Sequence, residues 1–123
     1  MINVSILEKD ILLAEYPPHA LIGLSDVKEE AEKRRNLTNS PHLLLVKLHG
    51  MATFSQDAQV FISSSEEAII TTAVAVLCDE NSGYYEHGKM LIDIFLDTKE
   101  LKFPIKLFDN ENDAFSWLRA QRK

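Results

Sequence analysis

The chain has few of the residues that define the more specialised protein classes. Of 123 residues, one is cysteine, four are glycine and four are proline. A lone Cys78 excludes an intrachain disulfide framework. So little Gly and Pro excludes collagen-like and low-complexity chains. The longest apolar-rich run, Met90 to Leu96, spans only seven residues and is interrupted by Asp93. That is far short of the roughly 20 apolar residues that cross a bilayer. Glu8, Lys9, Asp10 and Glu15 break up the first twenty residues, so no signal-peptide core can be drawn there. Basic surplus is absent too. The formal net charge is −6, which argues against nucleic acid as a partner, because phosphate neutralisation calls for a basic face. With a single reduced cysteine, the expected location is cytoplasmic.

What remains is ordinary globular composition, 46% hydrophobic and 26% charged, at the size of one domain spanning residues 1–123. Ile2–Leu7 and Ile11–Tyr16 read as a hairpin about Glu8-Lys9-Asp10, stopped by Pro17-Pro18. Ser25 is the expected N-cap of a helix running to Asn36, whose thin apolar stripe of Leu24, Val27 and Ala31 places it on the outside. Leu43–Leu48 and Ala73–Cys78 are near-continuous apolar runs, the mark of strands covered on both faces. Between them a helix starts near Ser55 and weakens at Ser63-Ser64-Ser65. His42, after Pro41, reads as loop. A helix from Gly83 to Asp97, a strand Phe103–Phe108 with Pro104 at its start, and a helix capped by Asp109 or Asn110 complete the chain. Alternating strands and helices imply parallel pairing through right-handed crossovers. The expected fold is α/β: one mixed sheet of about five strands, an N-terminal antiparallel hairpin and four helices.

The last 20 residues carry a family likeness. Phe103, Pro104, Lys106, Leu107, Phe108, Ala114, Trp117 and Leu118 match a strand and helix found in the small SpoIIAA-like domains, relatives of the STAS domains, which this chain resembles. Leu43 to Gly50 is similar to the family's central strand. The resemblance implies a non-enzymatic domain that works by protein contact. In bacterial members a phosphorylated Ser at the start of the helix after that strand acts as a switch. Laying the switch pattern on this chain puts Lys47 where an acidic residue belongs and Gln56 on the phosphorylated position. A one-residue slip brings Ser55 there, with Thr53 nearby. The simpler role of Ser55 is that of an N-cap. Some SpoIIAA-like domains also resemble CRAL-TRIO lipid carriers with an apolar cleft.

The 84–97 helix is the richest stretch. On a helical wheel Glu86, Lys89, Asp93 and Asp97 gather within about 80°, and His87 is the other polar residue. The apolar arc is about twice the ~100° that a helix on a sheet requires. The surplus needs a cover: a neighbouring helix, a second subunit or an apolar ligand. A homodimer would use Tyr84, Tyr85, Ile92 and Leu96 as anchors. A lid over a small apolar, lipid-like ligand would line its cleft with Met90, Ile94, Phe95 and Phe61.

Catalytic constellations are thin. His49, Asp79, Glu80 and His87 fall near strand ends or helix starts, but at no recognised ligand spacing. No GxGxxG, P-loop or GxSxG motif occurs. Cys78 ends a buried strand and reads as an inert core thiol. No cofactor or metal is expected. The sequence therefore points to a non-enzymatic regulatory or protein-interaction domain, expected to form a homodimer, with the apolar-ligand carrier as the alternative.

Overall fold

The structure is a computed structural model. It describes residues 2–18, 21–49, 53–64, 70–78, 89–90, 93 and 103–122. The elements are β1 (Asn3–Glu8), β2 (Ile11–Glu15), β3 (Leu21–Ile22), α1 (Leu24–Leu37), β4 (His42–Leu48), β5 (Thr53–Phe54), α2 (Gln56–Ile62), β6 (Thr71–Cys78), β7 (Ile105–Phe108) and α3 (Glu111–Ala120).

Five strands form the main sheet in the order β1-β2-β4-β6-β7. β1 and β2 are antiparallel, and every later neighbour pair is parallel. The two apolar runs become the central strands. Side chains alternate along β4: Leu44, Val46 and Leu48 join one core, Leu43 and Leu45 the other. α1 and α2 bury Val27 and Ala58 in the first core, and α3 buries Ala114 and Leu118 in the second. Coverage on both faces is why these strands lack a polar alternation.

The expected five-strand mixed sheet and its antiparallel edge are present. Three helices lie among the described residues where four are expected. The expected 83–97 helix falls outside them, apart from Lys89, Met90 and Asp93. A second, two-stranded sheet of β3 and β5 was not foreseen, because two-residue strands leave no periodic signal. It ties the segment before α1 to the segment before α2, and Ser55 N–H donates to the Ile22 carbonyl at 2.8 Å.

Two helix expectations change. Gly23, not Ser25, is the N-cap of α1. The Asp26 carboxylate reaches back to accept from the Gly23 N–H at 2.9 Å, so the acidic residue at the third helical position secures the start. α1 lies outside the sheet, with Lys28, Glu29 and Glu32 exposed, but the stripe it buries is not the apolar one expected. Its buried stripe is Val27, Glu30, Ala31 and Arg34, spaced as one helical face, but half of it is charged. Arg34 is 1% exposed. Its Nε lies 2.5 Å from Glu30 Oε1, and its Nη1 bonds Thr71 Oγ1 at 3.0 Å and His42 Nε2 at 3.2 Å. His42 is therefore a buried residue of β4 and not loop.

α3 is fastened at both faces of its helix. Phe108 and Trp117 pack with their rings tilted and 5.7 Å between centroids, while Arg122 bonds Asp10 and Glu8, and Arg119 bonds Glu8. These exposed pairs hold the Glu8 and Asp10 carboxyls below their ordinary range. Each contributes modestly, since solvent screens it.

The Arg34 cluster gives a direct test. Arg34→Met leaves Glu30 as a buried unpaired charge and is expected to destabilise the fold by about 3–5 kcal/mol. Adding Glu30→Leu removes that charge, so the double variant should lose less than the single one in chemical denaturation. A double variant as damaged as the sum of its parts would show that the pair is not coupled.

Candidate functional site

Three places on the fold bring chemistry-bearing side chains together. The first is the carboxyl edge of the sheet, where β2 ends at Glu15 and β4 runs into His49. The His49 Nε2 lies 2.6 Å from Glu15 Oε2, and both side chains are part-exposed. Lys47 pairs with Glu111 at 3.1 Å close by. Of the four residues considered for acid–base or metal work, Asp79, Glu80 and His87 lie outside the described residues. Glu15, which sequence spacing gave no reason to link to His49, is the actual neighbour, 34 positions away. Among the described residues no group of three or more His, Cys, Asp and Glu is placed to hold a metal. Cys78 closes β6 with its side chain buried, and burial pushes the thiol up to about 11. So little thiolate forms near neutrality that its nucleophilicity is low.

The second place is the start of α2. Ser55 is its N-cap: the hydroxyl oxygen accepts from the Ala58 N–H at 3.3 Å. The same hydroxyl donates to Asp57, whose carboxylate also accepts from Ala58. A phosphoryl group on Ser55 would displace this arrangement and stand beside a carboxylate, which opposes it by like charge.

From there an open groove of about 730 Å³ runs between α1 and α2. Leu24 and Lys28 line one wall, and Gln56, Asp57, Val60 and Phe61 the other. Val60 is 62% exposed, and Leu21, just before α1, is 80% exposed. Phe61, expected under the 84–97 helix, lines this groove.

The third place is a cavity of about 60 Å³ on the α1–α2 face of the sheet. Leu44, Val46, Val74, Val76, Phe103 and Ile105 are among its lining, with Tyr16, Phe54 and Ile62. Its polar lining groups are Glu30 and Arg34, already bonded to each other. Of the residues expected at an interface or cleft, Tyr84, Tyr85, Ile92, Ile94, Phe95 and Leu96 lie outside the described residues. Met90 is 64% exposed.

The charge cluster behind the cavity also fixes a protonation state. Arg34 can only donate, so the Nε2 of His42 must accept from it, and the proton sits on Nδ1, which donates to the Ser40 carbonyl at 3.2 Å. Burial first, and then the Arg34 charge, lower His42 to about 4. Sequence spacing carried one usable signal here: Glu30 and Arg34 occupy the apolar phase of α1, where a lone charge has no place.

The geometry defines a class, an α/β domain of SpoIIAA-like fold. A solved structure of an uncharacterised DUF3478-family protein from Shewanella loihica PV-4, described as SpoIIAA-like, superposes with a TM-score of 0.55 at 14% identity, covering 96% of this chain and 92% of the other. Within that class the chain belongs to the family described as a domain of unknown function, DUF7793, which matches residues 5–122. No curated protein matches the sequence. No helix among the described residues is long and apolar enough to cross a membrane.

The His42 geometry sets a pH dependence. The unfolded chain binds a proton at His42 near pH 6.5, whereas the folded chain resists until about 4. Folding stability is thus full above pH 6.5 and declines as pH falls to about 4, by up to about 3 kcal/mol. Glu8 and Asp10, whose carboxyls are held low in the folded state, add smaller losses that begin near their ordinary values of 4.5 and 3.8 and continue below them. Urea midpoints measured across this range should slope between pH 6.5 and 4 in the wild type and flatten in His42→Asn. An unchanged slope in the variant would assign it to other groups.

Proposed function

We propose that this domain is a non-enzymatic protein-interaction module whose docking face is the groove between α1 and α2. The observation that carries this is a groove about 730 Å³ in size, walled by two helices and lined by the apolar side chains of Leu24, Val60 and Phe61, with Val60 exposed. Apolar side chains clustered at an open concavity mark contact surfaces more often than chemistry. The groove offers Lys28 on one wall and Asp57 on the other. It therefore suits a partner segment that inserts apolar side chains and carries one charge of each sign at its margins. Ser55 and Asp57 sit at its end, so modification of Ser55 would act on docking by changing that margin. The SpoIIAA-like fold supports the reading by analogy alone.

A second reading, a carrier or sensor of a small apolar ligand, is favoured by the apolar cavity over β4 and β6. Its size limits it. About 60 Å³ is well below the roughly 300–1,000 Å³ of drug-sized ligand pockets, so a lipid-like occupant requires the cavity to widen.

The groove reading is tested by placing a photo-crosslinking amino acid at Val60 and, separately, at Asn112, an exposed α3 position on the opposite face of the sheet. Discrete heavier adducts in the native cells at Val60, absent at Asn112 and weakened by Lys28→Glu, are expected. Equal adducts at both positions, or none at Val60, would remove the groove from consideration.

A further inference from the structure

Among the described residues the main sheet has two edge strands, β1 and β7, and they are built differently. β7 is short, four residues long, preceded by Pro104 and carrying Lys106. Short length, proline and lysine are the devices by which sheets keep an edge from pairing. β1 has none of them. It is six residues long, and Asn3 to Leu7 contain neither proline nor charge. Asn3, Ser5, Ile6 and Leu7 are exposed, with Ile6 at 51%. One row of β1 backbone groups is spent on β2, so the outer row faces away from the sheet.

We propose that a second copy of this chain pairs along β1, antiparallel, to make one continuous sheet across a two-fold axis. This goes beyond the groove reading and does not depend on it.

The occupant follows from charge and symmetry. A chain with net charge −6 repels its own copy over most of its surface. Residues 3–7 of β1 carry no charge, and the carboxylate that bounds them, Glu8, is already held by Arg119 and Arg122. A two-fold axis normal to the sheet keeps each face on its own side, so residues facing each other must have the same parity. Centring the axis on Ser5 sets Val4 against the partner's Ile6, twice. Both belong on the α1 face, since Val4 pairs with Ala14 and Ile6 with Leu12. Aliphatic cross-strand pairs of this kind stabilise sheets. The register irregularity between Ile6 and Glu8 ends the pairable stretch.

α1 supplies complementary charge beside the strand. Lys33 donates from Nζ to the Ile2 carbonyl at 2.8 Å, which places it at the β1 side of the helix, and it pairs with Glu29 at 3.4 Å. Two antiparallel copies carry this pair in opposite directions, so each copy's carboxylate is offered the other's ammonium. The helices also add to the buried area, which strand pairing alone leaves below the roughly 1,000 Å² of a stable interface.

The test is light scattering and native mass spectrometry of the full chain over a concentration series. The wild type is expected at twice 14.0 kDa, and Ile6→Lys at 14.0 kDa with an unchanged circular-dichroism spectrum and at least tenfold weaker association. Val60→Lys, in the groove, and Met90→Lys, in the 84–97 stretch, should remain dimeric. A wild type that stays monomeric throughout overturns the proposal, as does a dimeric Ile6→Lys. Loss of the dimer in Met90→Lys or Val60→Lys alone assigns the interface elsewhere and overturns it too. Should Ile6→Lys fail to fold, wild-type amide exchange decides. Protection at residues 3–6 that grows with concentration supports β1 pairing, and constant protection refutes it. Failure of the Val60 crosslink leaves all of these outcomes readable.

Discussion

A single buried guanidinium organises this domain. Arg34 stands at the end of α1 and meets Glu30 on its own helix, His42 at the start of β4 and Thr71 at the start of β6. A charge taken out of water demands partners, and the demand is directional. Arg34 therefore specifies where α1 ends over the sheet in a way that apolar contact alone does not. Val27 and Ala31 supply non-directional burial on the same face, and the guanidinium supplies the register. His42 is recruited as an acceptor and so must stay neutral, which couples the strand start to pH.

Fixing α1 fixes what lies beside it. With Val27, Glu30, Ala31 and Arg34 turned inward, the helical period puts Leu24 and Lys28 on one flank and Glu29 and Lys33 on the other. The first flank is a wall of the groove opposite α2. The second lies along the sheet edge, where Lys33 reaches the carbonyl before β1. Two surfaces of different character thus depend on one helix rotation. On the far side of the sheet, α3 is fixed independently by Ala114, Leu118 and the arginines that reach Glu8 and Asp10.

Much of this was legible from residues alone, for identifiable reasons. Leu43–Leu48 and Ala73–Cys78 announced central strands because burial on two faces removes polar alternation. Asn110 and Ser55 announced helix starts because capping needs a short side-chain acceptor. The failures share a cause. The buried stripe of α1 looked thin because it was judged by apolarity, while half of it is a charge pair. Ser25 looked like the cap because Asp26 reaching back to Gly23 leaves the cap position without a side chain of its own. His42 looked like loop because its acceptor role depends on an arginine eight positions earlier. The Glu15–His49 pair joins two strands across the sheet and has no local signature at all.

The same logic separates surface from chemistry in this fold. Catalysis needs a titratable group left with an unspent valence near a space that admits substrate. Here His42 spends both ring nitrogens on Arg34 and Ser40, and the Ser55 hydroxyl serves as both acceptor and donor. Cys78 is held protonated by burial. Apolar area and backbone are left open among the described residues: Val60 at the groove, Ile6 and the outer row of β1 at the edge. Groups of that kind recognise by shape and by strand pairing, and both act without a reaction. The proposed groove and edge contacts rest on this contrast: the polar side chains named above hold the helices in place, while apolar surface is left open in two places.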